Sequence, residues 1–238
     1  MAVALDFPDR DRALALVDHL EGEARLFKVG LELFTGAGPR MVTDLRDRGL
    51  DVFLDLKLHD IPHTVSRAVA AGAGIGAQLL TVHAVGGPTM IRAARKAAEG
   101  SGTRILAVTV LTSMDSGELS AARGAAAGPR EEVARLATLA WDAGAHGMVA
   151  SAAEAALLRS LLGPDALIVT PGIRLAGDDV HDQARDTTPG DAVRAGADVL
   201  VVGRSVTGAP DPREALERIR AEMGRARSGK GALQEATP

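Results

Sequence analysis

The sequence predicts a single-domain (β/α)8 barrel, the TIM barrel of the α/β class. Two observations lead to this prediction. Short apolar runs alternate with longer segments of helical spacing, and eight such runs occur along the 238 residues. Strands that alternate with helices pair in parallel through right-handed crossovers, and eight such units are typical of a barrel of about 250 residues. We therefore expect a barrel over residues 1–224 and a flexible C-terminal tail over residues 225–238.

Each predicted strand is a short apolar run between segments with turn or helix signals. In chain order, the strands are Val3–Asp6, Leu26–Gly30, Val52–Lys57, Leu79–His83, Ile105–Val110, Gly147–Ala150, Ala166–Thr170 and Val199–Val202. A doubly wound open sheet is the alternative architecture, and its dinucleotide-binding members carry G-x-G-x-x-G after the first strand. Here Phe7 and Pro8 follow the first strand and no glycine does, which favours the barrel.

Segments with the apolar spacing of helices fill the intervals between strands. In chain order, they are Arg12–Leu20, Ala37–Arg48, Val65–Ala73, Thr89–Ala98, Arg130–Ala143, Ala152–Leu161, Pro189–Ala195 and Arg213–Met223. Two connections, Leu111–Gly128 and Pro171–Pro189, are longer than the usual loops of about 2–6 residues. Because both follow strands, we expect them on the face where barrel enzymes hold their active sites, as candidate lids.

The composition excludes several kinds of chemistry. The chain has no Cys, Tyr or Asn, and its aromatic residues are one Trp and four Phe. Disulfides, thiolate catalysis, thiolate metal sites and N-glycosylation are therefore excluded. The few aromatic residues offer little surface for base stacking, and a net charge of −4 argues against the basic face of a nucleic-acid-binding protein. No apolar run approaches the about 20 residues of a membrane span, and no export signal is visible. We expect a cytoplasmic protein without a membrane or nucleic-acid partner.

The lysines of this chain are few, and their positions are informative. The 27 basic residues comprise 23 Arg and four Lys. In the third predicted strand, side-chain alternation directs Asp55 and Lys57 into the barrel with Phe53, while the leucines face the helices. Both charged residues lie at the carboxyl end of the strand, where barrel enzymes hold their active sites. A structural ion pair is the alternative, but this location favours a catalytic role.

Two further charged residues lie near strand ends. Asp6 ends the first predicted strand and Lys28 lies near the end of the second. Charged side chains are almost never buried unless they are paired. Together with Asp55 and Lys57, they predict an alternating charge network at the top of the barrel. After the third strand, Asp60 precedes a proline and a helical segment, which is typical of a helix N-cap.

The connections after the seventh and eighth strands have the features of a phosphate site. The segment Thr170–Arg174 contains Pro171 and Gly172, and Gly203 precedes Arg204 and Ser205. Loops at these two places bind phosphate in many barrels through backbone N–H groups, and an arginine adds a bidentate donor. We therefore expect a phosphorylated ligand.

These segments together resemble the orotidine 5′-phosphate decarboxylase family. The resemblance rests on DLKLHDIPHT after residue 54, LTSM after the fifth strand, PGIR after the seventh and VVGRSVT at the eighth, and it extends from about Ala4 to Thr207. The D-x-K-x-x-D core is shared with related sugar-phosphate decarboxylases and aldolases. The extension through Ile61 and Thr64, with Thr112, Ser113 and Gln183, makes the resemblance narrower.

The resemblance implies decarboxylation of orotidine 5′-monophosphate to uridine 5′-monophosphate, the last step of UMP biosynthesis, without a metal or other cofactor. It implies that Lys57 stabilises and protonates the C6 carbanion. The implied catalytic residues are Lys28, Asp55, Lys57 and Asp60. The implied substrate-binding residues are Asp6, Lys28, Ile61, Thr64, Thr112, Ser113, Pro171, Arg174, Gln183, Gly203 and Arg204. The implied assembly is a homodimer in which Asp60, Ile61 and Thr64 reach the neighbouring subunit's site.

Two alternatives remain open from the sequence. One is a metal-dependent decarboxylase or aldolase that acts on an acyclic sugar phosphate, with His83 at the end of the fourth strand as a candidate participant. A histidine in that place is more often a hydrogen-bonded residue at the barrel top. The other alternative is a barrel that binds a nucleotide without catalysis. The charge network of Asp55, Lys57 and Asp60 argues against it, because a pure binder has no need of such an array.

Overall fold

In a computed structural model, eight parallel strands close into a barrel in sequence order. The structure describes residues 1–126, 128–175 and 187–234, with side chains described as far as Ser228. The strands are β1 (Ala2–Ala4), β2 (Leu26–Gly30), β3 (Asp51–Leu58), β4 (Leu79–His83), β5 (Arg104–Val108), β6 (Gly147–Val149), β7 (Leu167–Thr170) and β8 (Val199–Val202). The predicted (β/α)8 barrel is confirmed.

Helices surround the barrel. They are α1 (Arg10–His19), α2 (Leu31–Ala37), α3 (Arg40–Asp47), α4 (Pro62–Gly74), α5 (Gly87–Ala97), α6 (Ser116–Arg123), α7 (Pro129–Asp142), α8 (Ala152–Leu162), α9 (Pro189–Ala195), α10 (Arg204–Thr207) and α11 (Pro212–Gln234). None of the helices in the described part of the chain has the length and apolar character of a membrane span.

Three helix predictions were wrong in detail. The helix predicted over 37–48 begins only at Arg40, because Gly38 adopts a positive φ of 69° and Pro39 follows it. A separate helix that was not predicted, α2, ends at Ala37. The first long connection contains α6, whose start carries a capping box between Asp115 and Glu118. The last helix continues to Gln234, well past its predicted end, and Ala226 packs into the core. The flexibility expected for residues 225–238 stays a prediction.

Two apolar layers fill the fold. The interior of the barrel is small and is filled by one aromatic ring, that of Phe53, together with aliphatic side chains from the other strands. A larger layer lies between the outer face of the strands and the helices, and it includes Val52 and Leu54. Side chains of β3 therefore alternate as predicted, with the even-numbered residues 52 and 54 outward and Phe53 inward.

Three polar side chains close the amino-terminal rim of the barrel. Each lies just before an even-numbered strand and accepts a hydrogen bond from a backbone N–H of the preceding strand, while its own N–H donates back to the same residue. The pairs are Gln78 with Val52 (2.5 Å), His146 with Ile105 (2.8 Å) and Asp198 with Ile168 (2.7 Å). These reciprocal pairs fix the register of β3–β4, β5–β6 and β7–β8 at the end of the barrel opposite the strand carboxyl termini.

Arg159 on α8 joins this rim to the adjoining chain segments. Its guanidinium donates to the carboxylate of Asp198 at 2.6 Å and to four backbone carbonyl oxygens, those of Gly163, Pro164, Ala166 and Gly196, at 2.9 to 3.0 Å. A planar guanidinium with five N–H donors can serve several acceptors at once, which the ammonium of lysine cannot do in the same geometry.

We predict that Arg159→Met lowers the free energy of unfolding by about 2 kcal/mol, because several acceptors and the Asp198 carboxylate lose their donor. Urea denaturation checks this value. The control is Arg218→Met on α11, since Arg218 is exposed and has no ion pair or hydrogen bond among the described residues. Equal stability of the two variants would contradict the role of Arg159.

Candidate active site

One cavity of about 280 Å³ opens at the carboxyl-terminal end of the barrel strands. Its lining brings together nine of the predicted site residues, and they come from six parts of the chain that are distant in sequence. These residues are Asp6, Lys28, Asp55, Lys57, Thr112, Pro171, Arg174, Gly203 and Arg204. Phe53, Val149 and Val201 also line the cavity. The cavity therefore combines charged side chains with an apolar surface.

The charged side chains on β1 to β3 form a continuous chain of contacts. Lys28 Nζ lies 2.9 Å from Asp6 Oδ1 and 3.9 Å from Asp55 Oδ2, and Lys57 Nζ lies 2.8 Å from Asp55 Oδ2. The side chains of Lys28 and Asp55 are only 10% and 12% exposed. A buried charge is costly without a partner, and here each charged group lies next to one of opposite sign.

Gly30 leaves the room that this ion-pair chain needs. A Cβ atom at this position would lie 2.9 Å from Lys28 Nζ and 3.3 Å from Asp6 Oδ1. Both distances are shorter than ordinary carbon contacts, so any side chain here would displace the Lys28–Asp6 pair. The close approach explains why glycine ends β2.

Thr81 on β4 contacts the ion-pair chain, and it was not among the site residues predicted from the sequence. Its side chain is fully buried. The hydroxyl donates to Asp55 Oδ1 at 3.0 Å and accepts from the backbone N–H of Lys57 at 2.9 Å. The signal was present in the sequence. Leu79, Thr81 and His83 are alternate residues of one predicted strand, so the period of a strand places all three on the same, inward face.

His83 is a half-buried histidine beside the charged cluster. Its Nδ1 atom is buried and has no hydrogen-bond partner among the described residues, which contradicts the expectation of a hydrogen-bonded histidine. Burial is the main cause that lowers its pKa, and the charges of His59 and Lys57 lower it further. The ring is therefore neutral near pH 7. In the described part of the chain, no three His, Asp or Glu side chains are grouped so that they could hold a metal ion.

The connections after β7 and β8 contact each other at the other side of the cavity. The hydroxyl of Ser205 donates to the carbonyl oxygen of Ile173 at 3.2 Å. Backbone hydrogen bonds join Thr187 to Gly172 and Arg174, which closes the base of the second long connection. The guanidinium-bearing residues Arg174 and Arg204 both line the cavity. Gln183 lies outside the described residues, so its predicted role stays a prediction.

The connection after β5 places one of its two predicted residues at the cavity. Thr112 lines the cavity, whereas Ser113 is exposed and does not. The helix α6 follows this connection. An ion pair of 3.1 Å between Arg123 and the buried carboxylate of Glu132 attaches it to α7. The guanidinium groups of Arg135 and Arg123 hold the pKa of Glu132 below its usual value.

The three residues predicted to reach a neighbouring subunit lie outside this cavity. Asp60, Ile61 and Thr64 are exposed, and Ile61 is 66% exposed. The prediction of Asp60 as the N-cap of α4 was wrong. Ile61 occupies the N-cap position, and Asp60 instead accepts a hydrogen bond of 2.6 Å from the Ile61 backbone N–H.

Comparison with known proteins assigns this chain to a family. The model of the orotidine 5′-phosphate decarboxylase / HUMPS family matches residues 1–219. The chain belongs to this family. The family resemblance noted from the sequence motifs is thereby confirmed.

Relatives in the orotidine 5′-phosphate decarboxylase family are similar over almost their whole length. The chain is 50% identical over 221 residues to the orotidine 5′-phosphate decarboxylase of Nitrosomonas europaea, covering 93% of this chain and 95% of that protein. It is 49% identical to that of Nitrosococcus oceani over 223 residues, covering 93% and 96%.

Two solved structures share the fold. The orotidine 5′-phosphate decarboxylase of Lactobacillus acidophilus has a TM-score of 0.81 and 36% identity, covering 94% of this chain and 98% of that chain. An uncharacterised conserved protein of Geobacillus kaustophilus also has a TM-score of 0.81, with 38% identity and coverage of 93% and 99%.

Proposed function

We propose that this protein decarboxylates orotidine 5′-monophosphate to uridine 5′-monophosphate and CO2, as a carboxy-lyase of UMP biosynthesis. The observation that carries the proposal is the pair of Lys57 and Asp55 at the cavity, 2.8 Å apart, in a chain about half identical to two orotidine 5′-phosphate decarboxylases. The cavity of about 280 Å³ lies near the lower end of small-ligand pockets, about 300 Å³.

The lining residues provide complementary groups for the three parts of this nucleotide. In this proposal, the phosphate binds at the connections after β7 and β8, where Arg204, Pro171 and Gly203 line the cavity, with Arg174 and Gln183 as further contacts. The ribose hydroxyls contact Asp6 and Lys28. The pyrimidine lies toward Thr112, with Ser113 beside it, and directs C6 toward Lys57.

The reaction needs positive charge at the carbon that loses CO2. The bond between C6 and the carboxylate carbon breaks, and its electron pair remains on C6 as CO2 departs. The ammonium of Lys57 stabilises this carbanion and then gives it a proton, so that C6 gains hydrogen and Lys57 is reprotonated from water. Asp55 and Lys28 keep the ammonium in place, because they form the ion-pair chain on which it depends. None of these steps uses a metal or other cofactor.

The exposed group Asp60, Ile61 and Thr64 supports a homodimer as the working form. Ile61 is the most exposed large apolar residue in the described part of the chain, and the proposed dimer would cover it. In the proposed dimer, Asp60 enters the partner's cavity and completes its charge array, and Ile61 and Thr64 accompany it. We propose that the dimer works in the cytoplasm.

We predict that Lys57→Ala lowers kcat by at least about 10⁴-fold, because the variant lacks both the stabilising charge and the proton donor. The fall in absorbance of orotidine 5′-monophosphate measures turnover, and circular dichroism shows that the variant is folded. EDTA should leave wild-type turnover unchanged. Loss of wild-type activity with EDTA would favour the metal-dependent alternative, and binding without turnover would favour the non-catalytic one.

We predict that Arg204→Ala raises KM for orotidine 5′-monophosphate by about 10- to 100-fold, because a charge-assisted hydrogen bond to phosphate is lost. The nucleoside orotidine, which has no phosphate, serves as the control substrate. Its kcat/KM should change little in the variant. Equal losses for nucleotide and nucleoside would show that Arg204 does not act on the phosphate.

We predict that mixing Asp60→Ala with Lys57→Ala protein restores activity. After subunit exchange, half of the dimers are mixed, and each has one site with both native residues, so about a quarter of wild-type activity should return. Each variant alone is the control. A mixture no more active than the mean of the two variants would mean that each site lies within one chain.

A further inference from the structure

The hydroxyl of Thr81 joins the carboxylate of Asp55 to the backbone of Lys57, in addition to the direct side-chain bond between these two residues. It donates its single proton to Asp55 Oδ1 and accepts from the backbone N–H of Lys57. The direction of both bonds is fixed, because an ionised carboxylate only accepts and an amide N–H only donates. Thr81 is fully buried, so water does not supply these bonds.

The backbone of Lys57 has a conformation that needs support. Its φ is 49°, and it is the one residue other than glycine with a positive φ in the described ranges. This left-handed conformation costs roughly 1–2 kcal/mol for a residue with a side chain. It coincides with a register shift between β3 and β4, from Leu54 to Leu58. The Thr81 hydroxyl satisfies the Lys57 N–H at the place where the regular strand pairing is interrupted.

Each oxygen of Asp55 has a separate partner. Oδ1 accepts from Thr81, and Oδ2 faces the ammonium groups of Lys57 and Lys28. If the bond to Oδ1 were absent, the carboxylate could rotate about its Cβ–Cγ bond and either oxygen could meet the ammonium groups. The bond from Thr81 therefore fixes which oxygen faces them.

We propose that Thr81 is a positioning residue for the decarboxylation, an inference that rests on the proposed function. It fixes the Asp55 carboxylate and the Lys57 backbone together, so that the ammonium points from β3 into the cavity. Thr81 is absent from the residues that line the cavity. Loss of the Thr81 hydroxyl should therefore affect kcat more than KM, because kcat depends on the placement of Lys57.

The main test replaces the hydroxyl by a methyl group of similar volume. We expect Thr81→Val to lower kcat by about 100-fold, the usual effect of a displacement of about 1 Å at a reacting group, with KM changed by less than about threefold. Thr81→Ser keeps the hydroxyl and should recover most of kcat. Thr81→Ala also lacks the hydroxyl without adding strain, so it decides the outcome if the valine variant does not fold.

Thr103 provides a matched control. It is buried, and its hydroxyl donates to the backbone carbonyl of Ala77 at 2.7 Å, just before β5 at the far rim of the barrel. Thr103→Val therefore removes a buried hydroxyl bond and should lower stability while leaving kcat unchanged. Wild-type kcat in Thr81→Val or Thr81→Ala would overturn the inference, as would a serine variant as slow as the alanine variant.

Hydrogen exchange at the Lys57 amide separates this inference from the proposed function. The amide should be protected in the wild type and in Thr81→Ser, and it should exchange faster in Thr81→Val and Thr81→Ala. A wild-type protein that shows this pattern but does not convert orotidine 5′-monophosphate would overturn the proposed function alone. An unprotected Lys57 amide in an active wild type would overturn the positioning role of Thr81.

Discussion

The carboxylate of Asp55 is the group on which the site depends. It is almost buried and lies between two ammonium groups, with Lys57 at 2.8 Å and Lys28 at 3.9 Å. Removal of either lysine would leave a carboxylate with less compensation in a region of low dielectric, where unpaired charges are most costly. The same carboxylate keeps two cations close together that would otherwise repel each other. The proposed chemistry needs this arrangement, because it must hold positive charge near a substrate that loses a carboxylate.

The barrel supplies this interaction by simple geometry. Parallel pairing brings the carboxyl ends of β1, β2 and β3 to one edge, and the period of a strand directs Asp55 into the interior above Phe53. Lys57 follows on the same strand, but it reaches the cavity through a left-handed backbone that a regular strand does not have. The site therefore combines a regular scaffold with one local irregularity, and the irregularity lies at the residue proposed to transfer the proton.

Much of this arrangement could be predicted from the sequence. Regular periodicity gave the eight strands, and the scarcity of lysine in the chain directed attention to Lys28 and Lys57. Contacts between distant residues could not be predicted in the same way. Thr81 is an ordinary strand residue until the register of β3 against β4 is known, and this register is irregular where Thr81 meets Lys57.

Other differences between the predicted and the observed helices came from competing local sequence signals. Asp60 has the residue type of an N-cap, but the backbone turns at Ile61 and Asp60 binds the N–H of its own neighbour. The helix α6 was not predicted because Gly and Ala residues around it are typical of a loop. Asp115 and Glu118 nevertheless have the residue types and spacing of a capping box, and they form one in the structure.

The polar pairs at the amino-terminal rim have a consequence for how this protein can change over evolution. Gln78, His146 and Asp198 lock strand register at the end of the barrel that is remote from the cavity. The loops on the opposite face then contribute little to barrel closure. Mutations in those loops can alter which ligand is accepted while the scaffold keeps its shape. New specificity is thus accessible to this chain by exchange of loop residues, without a compensating change in its core.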